Sequence, residues 1–412
     1  MKKVDIVVVG GGPAGLMAAM QAAAKGCSVV LLEKNKDNGV KLLITGKGRC
    51  NITNAKQWSE FSNNIYPDAS FFKTAFYSFS NTDLISFFNN AGLETVCERG
   101  DRVYPATNLS RSVRDTLIKS CLKEGVEIVN RARVVSVIKE ADMFEVKYLI
   151  GPEVGGDLSS SIVAKSVIVA TGGLSYPSTG STGDGYEFAK HFGHTIIETM
   201  PSLTALKPKD YIPQSQAILL KNVKLNLIVN GNEVQSEFGE LQFTDGGIEG
   251  AIGFKLSRRA VKALRKNDKV VLSLDLKPAL SKEQLNDRIR REMAESKKKP
   301  LPVLLRSFLP SSIIVPFLNS NKNINTDNLA TYLKNWKFDI VDCVGYERCV
   351  ITSGGIPLKE LSRKTMSSKL IPGLYFAGEI VDLDAATGGY NLQIAFSTAH
   401  LAATSAATYV NR

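Results

Sequence analysis

The chain contains no C-x-x-C pair, and that absence removes two chemistries at once. Its six cysteines, at 27, 50, 97, 121, 343 and 349, stand apart from one another and do not cluster with the three histidines. Neither a structural zinc site nor a dithiol redox centre can be read from such spacing, and no metal is expected. Each cysteine reads as a small buried hydrophobe; Cys50 differs because it stands in a glycine-rich loop. Uncharged apolar runs of the ~20 residues that a membrane span needs are also missing. Lys2-Lys3 ahead of an apolar stretch, with Ala22-Ala23-Ala24 beyond it, has the outline of a secretory signal. Three consecutive glycines and Pro13 interrupt that outline, and Asp5 and Lys25 flank it, so a cytoplasmic protein with no membrane partner is expected. Strands that interleave aromatic and basic residues, the mark of an RNA-reading module, are lacking, and a nucleic-acid partner is not expected. The net charge of +11, from 51 basic and 40 acidic residues, suits an anionic small-molecule substrate, a phosphate-bearing cofactor or a plain solvated surface. Its densest run, Lys297-Lys298-Lys299, reads as the solvated tip of a charged helix.

Against these absences stands one dense motif. Val4-Asp5-Ile6-Val7-Val8-Val9 is strand-like, Gly10-Gly11-Gly12-Pro13-Ala14-Gly15 follows, and a helix-forming stretch runs from Leu16 to Lys25. Gly10 permits a tight turn, Gly12 lets the backbone approach a pyrophosphate, and Gly15 lets the helix lie close on the strand. Phosphates placed there meet unpaired N–H groups at the positive end of the helix. A second strand, Ser28 to Leu32, delivers Glu33, followed by Lys34. A carboxylate about 20 residues past the glycines accepts hydrogen bonds from an adenosine ribose. The pattern is that of a dinucleotide site.

A helix near 112–124, a third parallel strand at Val126-Glu127-Ile128-Val129, and short strands near 132–138, 143–150 and 161–165 come next, with turns at Gly151-Pro152 and Gly155-Gly156. That is a β-meander. It leads to a further apolar strand, Ser166 to Gly173, whose end at Ala170-Thr171-Gly172-Gly173 is small enough for backbone to reach a ligand. Late in the chain, Gly373 to Ala377 ends in Gly378-Glu379, and Thr387-Gly388-Gly389-Tyr390-Asn391 opens a helix from about Leu392 to Thr408. The strand ends at 10–15, 171–173 and 378–379 belong at the carboxyl edge of one parallel sheet, where doubly wound folds bind ligands. A nicotinamide dehydrogenase needs only the first of them. One long ligand, non-covalent FAD, would touch all three.

These features resemble the two-dinucleotide-fold FAD proteins, which show a similar G-x-G-x-x-G, an ATG-type strand end and a late Gly-Asp or Gly-Glu pair. A narrower likeness rests on Lys41-Leu42-Leu43-Ile44-Thr45-Gly46-Lys47-Gly48-Arg49-Cys50-Asn51-Ile52-Thr53-Asn54. Glu98 through Pro105, Ala170 through Tyr186, Gly239 through Gly250 and Lys364 through Gln393 extend it, in order, over most of the chain. The chain resembles the aminoacetone-oxidase-like FAD-binding flavoproteins, NAD(P)/FAD-dependent oxidoreductases that include a bile-acid dehydroxylation flavoprotein. The resemblance implies that Glu33 holds the ribose and Val134 offers backbone near the adenine. It places Lys41, Thr45 and Asn51 along the pyrophosphate or flavin side, and Gly378 and Glu379 at the ribityl and phosphate groups. Asn391 and Leu392, past Gly389, would present N–H groups to the pyrimidine edge of the flavin. That contact has an independent reason, since reduction places negative charge near flavin N1 and O2.

Between His194 and Val344 the βαβ rhythm stops. Val223, Leu225, Leu227 and Val229 alternate with Lys224, Asn226 and Ile228 before an Asn230-Gly231 hairpin turn, and strands are expected at 219–229, 233–243 and 269–276. Helices follow from Lys282 to Lys298 and among Pro300, Pro302, Pro310 and Pro316. The expected fold is α/β: a Rossmann-like FAD-binding domain with a parallel sheet and β-meander, interrupted by an inserted β-barrel-plus-helical subdomain. The expected boundaries are 1–194, 195–344 and 345–412, with the insertion acting as a substrate lid against the flavin. In the segment Phe243 to Ala251, relatives often carry Thr-His and Ser-Gly-Pro where this chain has Asp245, Glu249 and Ala251, which puts any transferred substrate in doubt.

The function expected is FAD-dependent hydride transfer to or from a small organic substrate. NADH or NADPH would act as a transient reductant, because no second G-x-G-x-x-G is present to build a nicotinamide domain. Arg49 and Arg102 are candidates to orient an anionic substrate, Tyr104 and Tyr176 to donate a proton, and Cys50 to act as a thiol. Two alternatives remain open: an RNA-associated flavoprotein, suggested by the basic balance, and a flavin-bound sensor without turnover.

Overall fold

Ile6, Val7, Val8 and Val9 are all buried, on both faces of their strand, as a parallel strand covered by helices demands. The computed structural model describes residues 2–151, 158–210, 217–295 and 300–412; Pro152, the Gly155-Gly156 turn and the Lys297-Lys298-Lys299 run lie outside them. Contacts divide the chain into two units, Met1–Thr199 with Ile351–Arg412, and Met200–Val350. The divisions therefore fall a few residues past the expected His194 and Val344. His194 stays with the first unit because its buried ring is held on both sides there, Nδ1 at 2.9 Å from Glu360 Oε2 and Nε2 at 2.8 Å from Ser368 Oγ.

The first unit is built on a seven-stranded sheet. Across it lie Glu127–Val129, Val29–Leu32, Lys2–Val9, Leu158–Val169, Met143–Ile150 and Ala132–Glu140, with Leu374–Phe376 also paired to Leu158–Val169. One expectation is corrected here. The third meander strand and the strand entering Thr171 are a single strand, Leu158–Val169, because no glycine or proline interrupts the sequence between them. Its first half pairs antiparallel with the meander, Ala164 opposite Phe144, and its second half pairs parallel with the first strand, Val9 opposite Val169. Val9 also stands opposite Leu32, Leu32 opposite Val129, and Val169 opposite Phe376. The chain thus leaves five strands at one level, and residues 10, 33, 130, 170 and 377 share one edge. Helix Tyr390–Val410 lies against helix Pro13–Ala23, and buried alanines at 395, 399, 402, 403 and 406 permit the close approach.

The second unit closes a barrel from Leu206–Pro208, Gly247–Glu249, Asn232–Thr244, Ile218–Val229, Val270–Asp275 and Trp336–Cys343. Closure removes the exposed edges that invite misassociation. Asn230 at φ 50° and Gly231 at φ 85° turn the long hairpin in the left-handed conformation such turns need. Leu225, Leu227, Phe243, Trp336 and Phe338 fill the interior. Helices Gly250–Leu264, Lys282–Glu295, Leu301–Leu304, Ser311–Ser320 and Leu329–Lys334 complete the unit.

Candidate dinucleotide and flavin site

Gly15 has the tightest constraint at the sheet edge: a Cβ there would stand 1.7 Å from Gly10 O. Gly10, at φ 103°, would place a Cβ 2.7 Å from Ala170 O. Both positions must be glycine for helix and strands to approach. Gly12 is different, since a Cβ there would meet no protein atom within 4 Å. Its missing side chain leaves open space beside a helix N-terminus that has no side-chain cap and no acidic residue in its first turn, with Pro13 at its start and Ala14 next. The N–H groups there suit an anion.

Glu33 is buried at 7% exposure. Its carboxylate accepts from Gly11 N at 2.6 Å and Asn35 N at 2.7 Å. Burial pushes its pKa above the usual carboxylate range, against these two bonds. Val134 sits close by, two residues beyond Ala132, whose N–H donates to Glu33 O at 2.9 Å. Lys34 Nζ is paired with Asp184 Oδ2 at 2.7 Å and also bonds Thr182. Two buried polar atoms on this side, Asn38 Oδ1 and Thr171 Oγ1, have no protein partner. Asn38 Oδ1 points at the glycine loop, 2.0 Å from where a Gly11 Cβ would stand. Gly172, at φ 75°, continues the same edge. Open space, an uncapped helix, a buried carboxylate and orphaned polar atoms fit the adenosine and pyrophosphate parts of FAD.

Three distant segments meet further along. Lys41 Nζ donates to Ser175 Oγ at 2.8 Å and to Glu379 Oε2 at 3.1 Å. Glu379 Oε1 accepts from Ser175 Oγ at 2.5 Å and Thr352 N at 2.9 Å. Thr352 Oγ1 in turn accepts from the N–H groups of Leu174 and Ser175. Gly378, at φ 78°, starts the turn that carries Glu379 into this cluster. Thr45 Oγ1 donates to Leu42 O at 2.7 Å and so closes the short helix that holds Lys41.

Helix Tyr390–Val410 also begins without a side-chain cap or an acid, after Gly389 at φ 96°. A Cβ on Gly389 would stand 2.4 Å from Thr53 O, so the loop carrying Asn51 is pressed against this helix start. With its amide oxygen facing Gly389 N at 3.1 Å, Asn51 also donates to Thr53 O at 3.0 Å. Asn391 ties down the preceding loop, accepting from Ala385 N at 2.8 Å and donating to Ala385 O at 2.9 Å. Leu392 follows on the same first turn.

Of the four candidate catalytic residues, Arg49 and Tyr104 are in contact, and Arg102 lies on the same strand as Tyr104. The Arg49 guanidinium lies 4.2 Å above the Tyr104 ring, pairs with Glu98 and donates from Nε to Asn108 Oδ1 at 2.9 Å. The Glu98 carboxylate raises the Arg49 pKa further. Arg102 is exposed on the adjoining hairpin, its Nε donating to Arg99 O at 3.1 Å. Tyr176 is held at φ 50° in the turn before Pro177. Cys50 is fully buried and its thiol is pushed up to about 12, which leaves no thiolate to react near neutral pH. In the barrel unit, Asp245 forms a two-pronged pair with Arg348, both contacts 2.7 Å, and its pKa is lowered by that neighbour.

Sequence reasoning passed over Ser175, Asp184, Asn38 and Thr352. Ser175 and Asp184 lie inside the segment Ala170 through Tyr186 already singled out, so a search for polar residues there would have found them. Thr352 carries no local signal, because it follows the barrel directly. Among the described residues no group of three or more His, Cys, Asp or Glu could hold a metal ion, and no helix is long and apolar enough to cross a membrane.

A sequence profile described as the HI0933-like protein Rossmann domain matches residues 4–405. The 3-dehydro-bile acid delta(4,6)-reductase of Clostridium scindens is 28% identical over 415 residues, covering 98% of both chains. A ribosomal RNA dihydrouridine synthase of Haemophilus influenzae is 28% identical over 418 residues, covering 97% of both. Among solved structures, a 3-ketosteroid-delta4-(5alpha)-dehydrogenase from Rhodococcus jostii RHA1 aligns with a TM-score of 0.54 at 15% identity, covering 98% of this chain and 97% of that one, which is a likeness of fold.

Proposed function

Because the chain belongs to the HI0933-like Rossmann family and is an FAD-dependent oxidoreductase, we propose that it saturates a carbon–carbon double bond conjugated with a carbonyl. The observation that carries this reading is the chemistry common to its full-length relatives. A delta(4,6)-reductase acting on a 3-dehydro-bile acid and a synthase making dihydrouridine both add two hydrogens across such a bond. FAD held there would, in its reduced form, supply a hydride for the β carbon, and the α carbon would take a proton from solvent.

The chain's own residues hold the cofactor and shape the charge around it. Glu33 accepts from the ribose, Gly12, Pro13, Ala14 and Gly15 frame the pyrophosphate, and Lys34 braces the adenosine side through Asp184. Lys41, Thr45, Glu379 and Gly378 fix the middle of the ligand, while Asn51 and Gly389 position the helix start at Asn391 and Leu392. N–H donors at that positive end stabilise negative charge on the reduced ring. NADH or NADPH is the reductant, stacking transiently in the substrate cleft, since the sequence holds a single G-x-G-x-x-G. Binding of reductant and of substrate then compete.

The test is anaerobic. Purified holoprotein is reduced with one equivalent of dithionite and mixed with a cyclic enone, a saturated ketone or buffer. Flavin reoxidation by the enone alone, with one saturated product per flavin, is expected. Equal reoxidation by the saturated ketone, or none by any conjugated acceptor including a uridine-containing RNA, overturns the reading.

A further inference from the structure

An enone that receives a hydride at its β carbon needs a proton at its α carbon, and a side chain that gives one must have a donor group free to meet the substrate. Tyr104 has such a group. Its ring is buried, with the residue at 7% exposure, yet among the described residues its hydroxyl has no hydrogen-bond partner and is not enclosed. Phenols this deeply buried ordinarily find a partner in the protein. The neighbouring groups are unsuited to the task. Arg49 keeps its proton at any pH a folded protein meets, Cys50 is enclosed, and Lys41 Nζ already donates to Ser175 and Glu379.

Gly46 fixes where the hydroxyl lies. A Cβ on Gly46 would stand 3.6 Å from Tyr104 Cε1, a ring carbon next to the one that bears the hydroxyl, and 3.1 Å from Asn51 N. Gly46 therefore separates the hydroxyl end of the ring from Asn51, whose amide oxygen meets Gly389 N at 3.1 Å where helix Tyr390–Val410 begins. One residue without a side chain is all that intervenes. From the other end of the segment, Ile52 N donates to Val103 O at 2.8 Å, which ties the loop to the strand that carries Tyr104.

The face of the ring is set as firmly. The Arg49 guanidinium lies 4.2 Å from the ring centroid and is gripped from two sides. Its Nε and Nη2 donate to Asn108 Oδ1 at 2.9 and 2.6 Å, and Nη1 donates to Glu98 Oε2 at 3.3 Å, with Nη2 on the other oxygen. A cation held over a phenol ring stabilises the negative charge that appears when the proton leaves. Arg102, two residues before Tyr104 on the strand, stands opposite Glu98.

We propose that Tyr104 is the proton donor of the reaction and that Arg49 is a positioning residue that holds its ring and stabilises the phenolate. The inference rests on the proposed saturation of a conjugated carbon–carbon double bond. A hydride from reduced FAD forms the new C–H bond at the β carbon, and the electron pair of the double bond passes to the α carbon. There it takes the proton as the Tyr104 O–H bond breaks. The flavin loses two electrons, the substrate gains them, and the phenolate recovers its proton from solvent.

The experiment uses the full-length holoprotein, reduced with dithionite under anaerobic conditions and mixed by stopped flow with cyclohexenone or with ferricyanide. Ferricyanide accepts electrons without any carbon being protonated. Tyr104→Phe keeps the ring and should slow reoxidation by the enone at least about tenfold, while flavin content and reoxidation by ferricyanide match the wild type. Arg49→Met should slow the enone step as well, and Arg49→Lys, which keeps the charge, should recover part of that rate. Equal enone rates in the wild type and Tyr104→Phe, or the same loss with ferricyanide as with the enone, overturn Tyr104 as the donor and leave the reaction standing. Equal rates for Arg49→Met and Arg49→Lys overturn the role of the Arg49 charge. A wild-type flavin that ferricyanide reoxidises and no enone does overturns the proposed reaction, and this inference with it.

Discussion

Lys41 and Glu379 are separated by 338 residues of sequence and meet at 3.1 Å. Their side chains are only 20% and 12% exposed, so the pair is screened less than a surface ion pair. Glu379 also accepts from Ser175 and Thr352, which makes this carboxylate the point where the early loop, the long strand's end, the return from the barrel and the last strand are joined. Lys41→Met should lower unfolding stability by about 1–3 kcal/mol in urea titration, since it leaves a half-satisfied carboxylate behind. Adding Glu379→Leu should recover part of that loss. Strict additivity of the two substitutions would show that the pair carries no coupling.

The glycines of the first turn should separate folding from cofactor binding. Gly15→Ala forces a Cβ to 1.7 Å from Gly10 O and should abolish soluble expression or lower the melting temperature sharply. Gly12→Ala meets no protein atom within 4 Å, so the melting temperature of the cofactor-free protein should hardly change while FAD occupancy falls. Glu33→Ala should weaken FAD roughly ten- to a hundredfold, the cost of losing a charged acceptor. Heat release and chromatography check all three, and recovery of FMN alone would refute the dinucleotide assignment.

Thiol reactivity should follow burial. Cys97 is exposed, whereas Cys50 and Cys121 are buried with thiols pushed up to about 12. Iodoacetamide at about pH 8 should label Cys97 first in the native protein and reach Cys50 only after unfolding, as mass mapping would show. Rapid native labelling of Cys50 would contradict the burial described above.

The His400 ring stacks on Phe79 at 4.8 Å, and its buried Nδ1 has no partner. Burial, reinforced by Lys25, depresses its pKa below 6.5. The unfolded chain therefore binds this proton at a higher pH than the folded one does. Stability from this residue is complete above about pH 6.5 and declines as pH falls below it. His400→Leu should flatten the pH dependence of unfolding free energy between about pH 7 and about pH 5. An NMR titration placing the His400 pKa above 6.5 would reverse the sign and rule the argument out.

Much of the fold was legible because its signals are local. The glycine turn, Glu33 at a strand end, and the Asn230-Gly231 hairpin each state their geometry within a few residues. The long strand Leu158–Val169 was read as two because its halves pair with different partners in different directions, and no residue inside it announces the change. In the candidate site, the turn geometry at Gly10, Gly12 and Gly389 was legible because each position acts through its own backbone. Side chains that meet from afar were not. Arg49 looks like a substrate cation in the sequence, and only its contacts with Glu98, Asn108 and Tyr104 show the guanidinium already engaged. Thr352 gives no local sign of its place beside Glu379.

The barrel unit is one uninterrupted segment, whereas the sheet unit is assembled from two. On the ribosome this imposes an order of events. At roughly 5–20 residues per second, Met200–Val350 emerges over roughly 8 to 30 seconds, during which it can close with every strand it needs already made. The first unit has to wait, its long strand lacking Leu374–Phe376 as a neighbour and its first helix lacking Tyr390–Val410. The nascent sheet is thus kept open on the flank where the late strand will add, and chaperone binding during synthesis should fall on the first 199 residues rather than on the barrel.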